Sequence, residues 1–340
     1  MQAGLENQGQ PTLWQAARLS VAPMMDWTDR HCRYLHRQLS RNALLYTEMV
    51  TAPALVRGGA VHLLEFSEAE HPVALQLGGS DPAELAAAAR MGAAAGYDEI
   101  NLNVGCPSDR VQSGTFGAVL MRQPELVAEC CAAMIEAVDI EVTVKCRIGV
   151  DRQDAETALP DFIDHVAGAG VRRVIIHARK AWLQGLSPKE NRDVPPLDYG
   201  LVQRMKTRFP SLHLSVNGGI ETLDPALGFL AAGLDGVMIG RAAYHRPADI
   251  LGAADRLVFA GTDRDRTPEE AVRAMLPYIE EHVARGGKLH QVTRHMLGLF
   301  AGRPGARVWR RMLSEGATRP GAGAELVETA LAEVAGQPAV

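Results

Sequence analysis

One thiol in this chain stands where packing does not explain it. Residues 101–109 read NLNVGCPSD, so Cys106 follows a break at Gly105 and directly precedes Pro107. An apolar run ends there, and the two flanking residues restrict the turn that carries the thiol. A cysteine with an ordinary pKa of about 8.5 is protonated at neutral pH, which suits a general acid. Other chemically capable residues close similar runs: Glu48, Gln76 in ALQLGG, Asn101, Asn103, Lys145 and Arg147 in VTVKCRIG, and His177 and Arg179 in VIIHAR. A lysine aimed into apolar surroundings needs an anionic or electron-rich partner, because a desolvated ammonium is costly. Both a carbonyl-rich ligand and Schiff-base chemistry would meet that need. Gln76 offers a donor and an acceptor to the edge of a heterocycle. Cys32, Cys130, Cys131 and Cys146 have apolar neighbours and read as buried and inert.

Two further runs, SVNGGI and MIGRAA, each pass from apolar residues through glycine into a helix start. Glycine lets backbone N–H groups approach an anion closely, and a helix N-terminus adds a favourable dipole. Asn217, Gly218 and Gly219 with Gly240 and Arg241 therefore read as a phosphate site.

The elements that must position these residues are legible as a repeat. Eight short apolar runs predict strands at Leu19–Met24, Leu44–Val50, Val73–Gly78, Glu99–Val104, Val142–Arg147, Arg173–Arg179, Leu212–Asn217 and Gly236–Gly240. Helical patterns separate most of them, with start signals at Asp81-Pro82, Gln123-Pro124 and Thr222. Strands this apolar are covered on both faces, which predicts an α/β fold: a (β/α)8 TIM barrel with its chemistry at the strands' carboxyl ends. A doubly wound open sheet would carry G-x-G-x-x-G after a strand, and none is present. Three regions are expected: a flexible N-terminal tail over 1–17, the barrel over 18–259, and a small all-helical domain over 260–340. Helices are predicted in the last at Pro268–Arg285, Leu289–Ala301, Pro304–Ser314 and Gly323–Ala335.

Of the 340 residues, 47% are hydrophobic, yet no apolar run reaches the roughly 18 residues of a membrane span. The first dozen residues have neither a basic nor an apolar signal region, and the five cysteines follow no zinc or disulfide spacing. A cytoplasmic monomer without metal is expected. A net charge of −5 does not advertise a nucleic-acid binder. Locally the balance reverses: from His282 to Ser314 there is no acidic residue, while Arg285, Lys288, Arg294, Arg303, Arg307, Arg310 and Arg311 fall there. Arg307, Arg310 and Arg311 share one helix face. Arg179, Lys180, Lys189 and Arg192 would form a second basic edge beside strand six. Such basic runs are most often solvated faces, but they also suit RNA phosphates.

Taken together, APMMDWTDRHCR, LQLGG, NLNVGCPSD, TVKCRIG, NGGI and IGRA resemble the tRNA-dihydrouridine synthases over nearly the whole chain. HARKAWLQGLSPKENR and PPLDY look like the branch of that family that modifies positions 20 and 20a of the D-loop. The resemblance implies FMN held by Pro23, Met24, Met25, Gln76, Lys145, His177, Asn217, Gly218, Gly219, Gly240 and Arg241. It implies tRNA as partner, hydride transfer from reduced FMN to uracil C6, a proton from Cys106 to C5, and NADPH as co-substrate that reduces the flavin again. RNA contacts are implied at Asn103, around Lys189 and Arg192, and in the C-terminal helices that carry Arg307 and Arg310; Arg179 joins them from its charge. The alternatives are a flavin barrel for a free pyrimidine, as in the dihydroorotate dehydrogenases, a lyase using Lys145, and a non-catalytic RNA-binding protein.

Overall fold

Eight parallel strands pair in chain order and close on themselves. They are β1 (Leu19–Val21), β2 (Leu44–Thr51), β3 (Val73–Gly78), β4 (Glu99–Val104), β5 (Glu141–Arg147), β6 (Arg173–His177), β7 (His213–Asn217) and β8 (Gly236–Ile239). The computed structural model describes residues 12–108, 116–262 and 264–335. The barrel is therefore the predicted (β/α)8 TIM barrel, and it places all eight strand ends at one mouth.

Two strands stop earlier than their apolar runs. β1 gives way at Val21 because Pro23 cannot donate to a ladder and Met24 closes a turn, its carbonyl accepting from the Trp27 and Thr28 amides. β6 ends at His177, where the Arg179 amide turns back onto the His177 carbonyl.

Connecting helices begin where their caps demand. α2 (Arg30–Leu39) is capped by Asp29, whose carboxylate accepts from the His31 and Cys32 amides at 3.0 Å each. Asp81 and Pro82 open α3 (Pro82–Ala94), and Pro124 opens α4 (Pro124–Ala137). α5 (Ala155–Gly168), α6 (Tyr199–Arg208) and α7 (Leu223–Ala231) follow β5, β6 and β7. A five-residue helix, α8 (Arg241–His245), follows β8.

The tail is shorter than expected. Thr12 caps α1 (Leu13–Ala16), and both Ala16 and Ala17 are buried. Trp14 meets the His213 ring edge-on and donates to Glu141 at 2.9 Å, so residues 12–17 belong to the barrel's amino-end floor. Residues 1–11 of the expected tail lie outside the described residues.

Beyond the barrel come α9 (Pro268–Ala284), α10 (Leu289–Thr293), α11 (Ala306–Gly316) and α12 (Ala324–Ala335). The second of these was expected to run to Ala301. It stops at Thr293 because residues 295–301 turn tightly, and Gly298 packs so close that a Cβ there would lie 2.2 Å from the His245 carbonyl oxygen. Trp309 on α11 is fully buried, edge-on to Phe300, and donates to the Met296 carbonyl at 2.9 Å. One apolar core runs from the strands through α9, α10, α11 and α12, so the barrel and the C-terminal helices share it. No helix among the described residues is long and apolar enough to cross a membrane.

Candidate active site at the barrel mouth

Pairing register aligns the mouth residues in rows. Gln76 lies opposite Asn101 and Asn101 opposite Thr143, Asn103 opposite Lys145, and Arg147 opposite His177, which lies opposite Asn217. With side chains alternating along a strand, Thr143, Lys145 and Arg147 climb one face of β5 toward the mouth.

The interior is a hydrogen-bonded column. Tyr46 donates to Glu99 at 2.8 Å, Thr143 also donates to Glu99, and Asn101 donates to Thr143 at 2.8 Å. Gln76 Nε2 donates to Asn101 at 2.8 Å, and Asn103 Nδ2 donates to Gln76 Oε1 at 2.8 Å. At the top, Asn103 Oδ1 accepts from the Gly105 and Cys106 amides at 3.1 and 3.0 Å. At the floor, Arg173 pairs with Glu99 and Glu141. Burial raises the Glu99 carboxyl, and Arg173 opposes that rise. A buried polar chain of this kind is stable only because each member is satisfied by the next.

This column explains the opening feature. Asn103 fixes the backbone that presents Cys106, and Cys106 is itself partly exposed. The chain beyond Ser108 as far as residue 115 lies outside the described residues. Asn103, expected as an RNA contact, is 8% exposed and holds the thiol's turn. The other four cysteines are buried, with burial pushing the Cys130 and Cys146 thiols up to about 12.

Cations gather around the thiol. Arg147 donates to the Gly105 carbonyl at 3.1 Å and the Asn191 carbonyl at 3.0 Å, which ties the Cys106 turn to the loop after β6. Burial, with Arg192 and Arg179 beside it, lowers Arg147 to about 10. Burial and the neighbouring Arg147 lower Lys145 to about 8, and its ammonium makes no hydrogen bond or ion pair among the described residues. Burial, then Arg147 and Lys145, hold His177 far below its usual range, so it is neutral at pH 7. His177 Nδ1 and Arg179 Nε are buried without partners among the described residues. Arg241 pairs with Asp193 at 2.7 Å.

The glycine loops differ from one another. Asn217 donates to the Met238 carbonyl at 2.8 Å and so binds the end of β7 to β8. Gly218 and Gly219 have φ of +111° and +68°. A Cβ on Gly219 would lie 2.6 Å from a Leu197 methyl, and together with the positive φ this favours glycine there. Gly240 is less constrained, since a Cβ would meet nothing nearer than Ala22 at 3.5 Å. Met24 lies against Gly240, its sulfur 3.6 Å from that same Cβ position, and Met25 is 55% exposed. Between them and α2, Asp26 has φ +65° and donates its amide to Glu48. Trp27 stacks on Tyr244 with centroids 4.5 Å apart.

On the C-terminal helices Arg303 pairs with Glu269, Arg285 with Glu281, and Arg294 with Asp29, which His295 also approaches at 3.0 Å. Arg307, Arg310 and Arg311 are exposed on α11 and make no ion pair among the described residues. A cleft of about 810 Å³ lies between the first turns of α2 and the α9–α10 junction, lined by Arg30, Tyr34, Tyr278, His282 and Lys288 among others. Among the described residues no cluster of three or more His, Cys, Asp or Glu is placed to hold a metal ion.

The residues missed from the sequence are those that support rather than face the mouth. Arg147 is among the strand-end residues named from the sequence, but its hold on the Cys106 turn carried no signal there. Glu99, Thr143, Tyr46 and Arg173 carried no signal beyond being polar within apolar strands. Asn191, which is fully buried, and Asp193 carried none.

Fold and mouth together define a class: a (β/α)8-barrel enzyme working at the carboxyl ends of its strands. The barrel superposes on an old yellow enzyme homologue from Zymomonas mobilis with a TM-score of 0.51 at 12% identity, covering 75% of this chain and 92% of that one, a likeness of fold. The family is more specific. The model of the dihydrouridine synthase (Dus) family matches residues 20–335, and the chain belongs to that family. It is 59% identical over 321 residues to the tRNA-dihydrouridine(20/20a) synthase of Escherichia coli K12, covering 94% of this chain and 92% of that protein. The proteins of that name from Shewanella oneidensis and Pasteurella multocida are 57% and 56% identical over 315 and 328 residues; they cover 93% and 96% of this chain, and 93% and 99% of their own lengths.

Proposed function

We propose that this chain reduces uridine to 5,6-dihydrouridine in tRNA, at positions 20 and 20a, using FMN held in the barrel mouth and NADPH as reductant. The mouth fits a planar anionic cofactor on its own terms. It holds a half-buried ammonium on Lys145 that makes no ion pair among the described residues, an unpartnered buried nitrogen on His177, and a positive-φ glycine turn packed against Leu197. Bound there, reduced flavin supplies the hydride for uracil C6, and NADPH restores it.

The chain's own residues divide the remaining work. Lys145 and Arg147 would offer positive charge to a flavin bound in the mouth, and Gln76 and His177 would offer it polar groups. Pro23, Met24 and Met25 form one wall. The backbone of Asn217, Gly218 and Gly219, with Gly240 and Arg241, receives the phosphate. Cys106 Sγ gives its proton to C5 of the base and is returned to the thiol from solvent. Asn103 holds that thiol in position through two amides and keeps one N–H for the base. Arg179, Lys189 and Arg192 on one side, and Arg307 and Arg310 on the C-terminal helices, receive the RNA phosphates. On this reading residues 12–259 form the catalytic barrel, and the helices between Pro268 and Ala335 bind tRNA. A single cytoplasmic chain supplies every residue named.

The observation that carries this reading is Cys106, held by Asn103 at a mouth crowded with cations, in a chain of this family. The test is Cys106→Ala. The variant should keep its flavin and the rate of flavin reduction by NADPH, while dihydrouridine formed in tRNA from a dihydrouridine-free strain falls at least a hundredfold, the span of about 3 kcal/mol in the barrier. Dihydrouridine at the normal rate would remove Cys106 from its role. A purified protein that is colourless and takes up no FMN would remove the cofactor.

A further inference from the structure

The loop after β6 presents an aromatic face that the mechanism above does not use. Trp182 is 37% exposed, while its neighbours Ala181 and Leu183 are buried. Its backbone is locked from both sides. The Trp182 amide donates to Asn191 Oδ1 at 2.7 Å, and Asn191 Nδ2 donates back to the Trp182 carbonyl at 2.9 Å. The same Asn191 amide also reaches the Leu186 and Ser187 carbonyls, so one buried side chain organises the whole loop. Ala181 bridges to Val150, and the Leu183 amide donates to Asp151 at 2.8 Å. The main chain on each side of Trp182 is thus fixed while the side chain is left partly in solvent.

The loop is also fixed to the catalytic turn. Arg147 donates to the Asn191 and Gly105 carbonyls with the same guanidinium, so the Trp182 clamp and the Cys106 turn share one anchor. Both arms of the loop are basic. Arg179 and Lys180 precede the indole, and Lys189 and Arg192 follow it. The nearby acids are engaged: Asp151 accepts from the Leu183 amide and pairs with Arg122, Glu190 accepts from the Ser187 amide, and Asp193 pairs with Arg241. A rigid aromatic face between cations is what a single-stranded nucleic acid meets in its binding proteins. The ring takes a base and the cations take the phosphates.

We infer that Trp182 is a stacking platform for an unpaired base of the tRNA substrate, one that sets the distance between that base and the uridine held at Cys106. This inference rests on the tRNA reading above. It concerns recognition of the RNA and leaves flavin binding and flavin reduction untouched.

The experiment compares Trp182→Ala, Trp182→Phe and Trp182→Leu as flavin-loaded proteins. Trp182→Ala should raise KM for tRNA roughly tenfold to a hundredfold, the range of one lost base stack, with flavin content and NADPH-driven flavin reduction unchanged. Trp182→Phe should recover most of the loss; Trp182→Leu, which keeps apolar bulk but no π-face, should not. The slope of log affinity against log salt should match that of the parent protein in all three, because the indole carries no charge. Quenching of tryptophan fluorescence on tRNA binding should be lost in Trp182→Phe. A parent-like KM in Trp182→Ala, or equal rescue by leucine and phenylalanine, overturns the platform while the parent protein still makes dihydrouridine. If the parent protein forms no dihydrouridine in tRNA, the substrate reading itself fails and takes this inference with it.

Discussion

Replacing Lys145 with methionine should make the cofactor-free protein more stable. The ammonium is partly buried, lies near Arg147, and makes no ion pair among the described residues; together desolvation and Arg147 lower its pKa from 10.5 to about 8. At about 1.4 kcal/mol per pH unit that depression is a penalty on the folded state of about 3 kcal/mol. The side chain keeps some solvent contact, which screens part of it and leaves about 2 kcal/mol. The sign follows from proton counting. Below about pH 8 both states carry the proton, and the folded state bears the full penalty. Between about 8 and 10.5 the unfolded chain binds more protons, so the penalty fades and stability rises with pH. Unfolding entropy of about 2.1 cal/mol/K per residue converts 2 kcal/mol to about 3 °C for a chain of this length. Thermal melts of flavin-free Lys145→Met and parent protein should therefore differ by about 3 °C at pH 7, with the variant higher, and should converge toward pH 10. The same variant should bind FMN more weakly in a fluorescence titration, since the charge meant for the ligand is gone. If Lys145→Met melts at or below the parent at pH 7, the ammonium is not stranded and the electrostatic account of the mouth is wrong.

Asn103→Ala removes the acceptor for two amides at the Cys106 turn and leaves Gln76 Oε1 without its donor. It should cost about 1–3 kcal/mol in urea unfolding and lower the turnover of tRNA more than it lowers flavin content. Asp29→Asn keeps the cap on α2 but loses the charge. Burial would raise Asp29, yet His295, the Cys32 amide and Arg294 outweigh it and hold the carboxyl below its usual range. Its contribution is therefore present above about pH 4 and lost on acidification. The variant should lose about 1–2 kcal/mol at neutral pH and show a flatter acid limb, followed by urea unfolding at pH 7 and pH 3. Arg307→Ala with Arg310→Ala should weaken tRNA binding and reduce its salt slope by roughly 1.5, the effect of two phosphate contacts, with FMN affinity unchanged.

The barrel was legible because its signal is periodic. Apolar runs bounded by Pro, Gly and capping residues recur at the βα spacing, and Asp81-Pro82 and Gln123-Pro124 start their helices as written. The mouth was legible because polar residues ending apolar runs have few other uses, as Lys145 and His177 illustrate. What escaped was whatever depends on contacts distant in sequence. Nothing near Gly298 announces that His245 lies against it, so a helix was expected to continue through it. Thr12, Ala16 and Ala17 look like tail until the barrel floor exists for them to cover. Asn191 is one polar residue in a polar segment, and nothing there announces that its main-chain carbonyl is held by Arg147, 44 positions earlier. Arg241 reads as part of a phosphate site, and its ion pair with Asp193 carries no signal in the sequence.

The spine of amides and hydroxyls from Asn103 down to Glu99 has a bearing on engineering. Many barrels are filled with grease, and their catalytic rims can be exchanged while the filling is ignored. Here the rim's cysteine-bearing turn is wired, bond by bond, to an ion pair at the opposite end of the cylinder. Anyone transplanting these loops onto another scaffold would have to carry the interior with them.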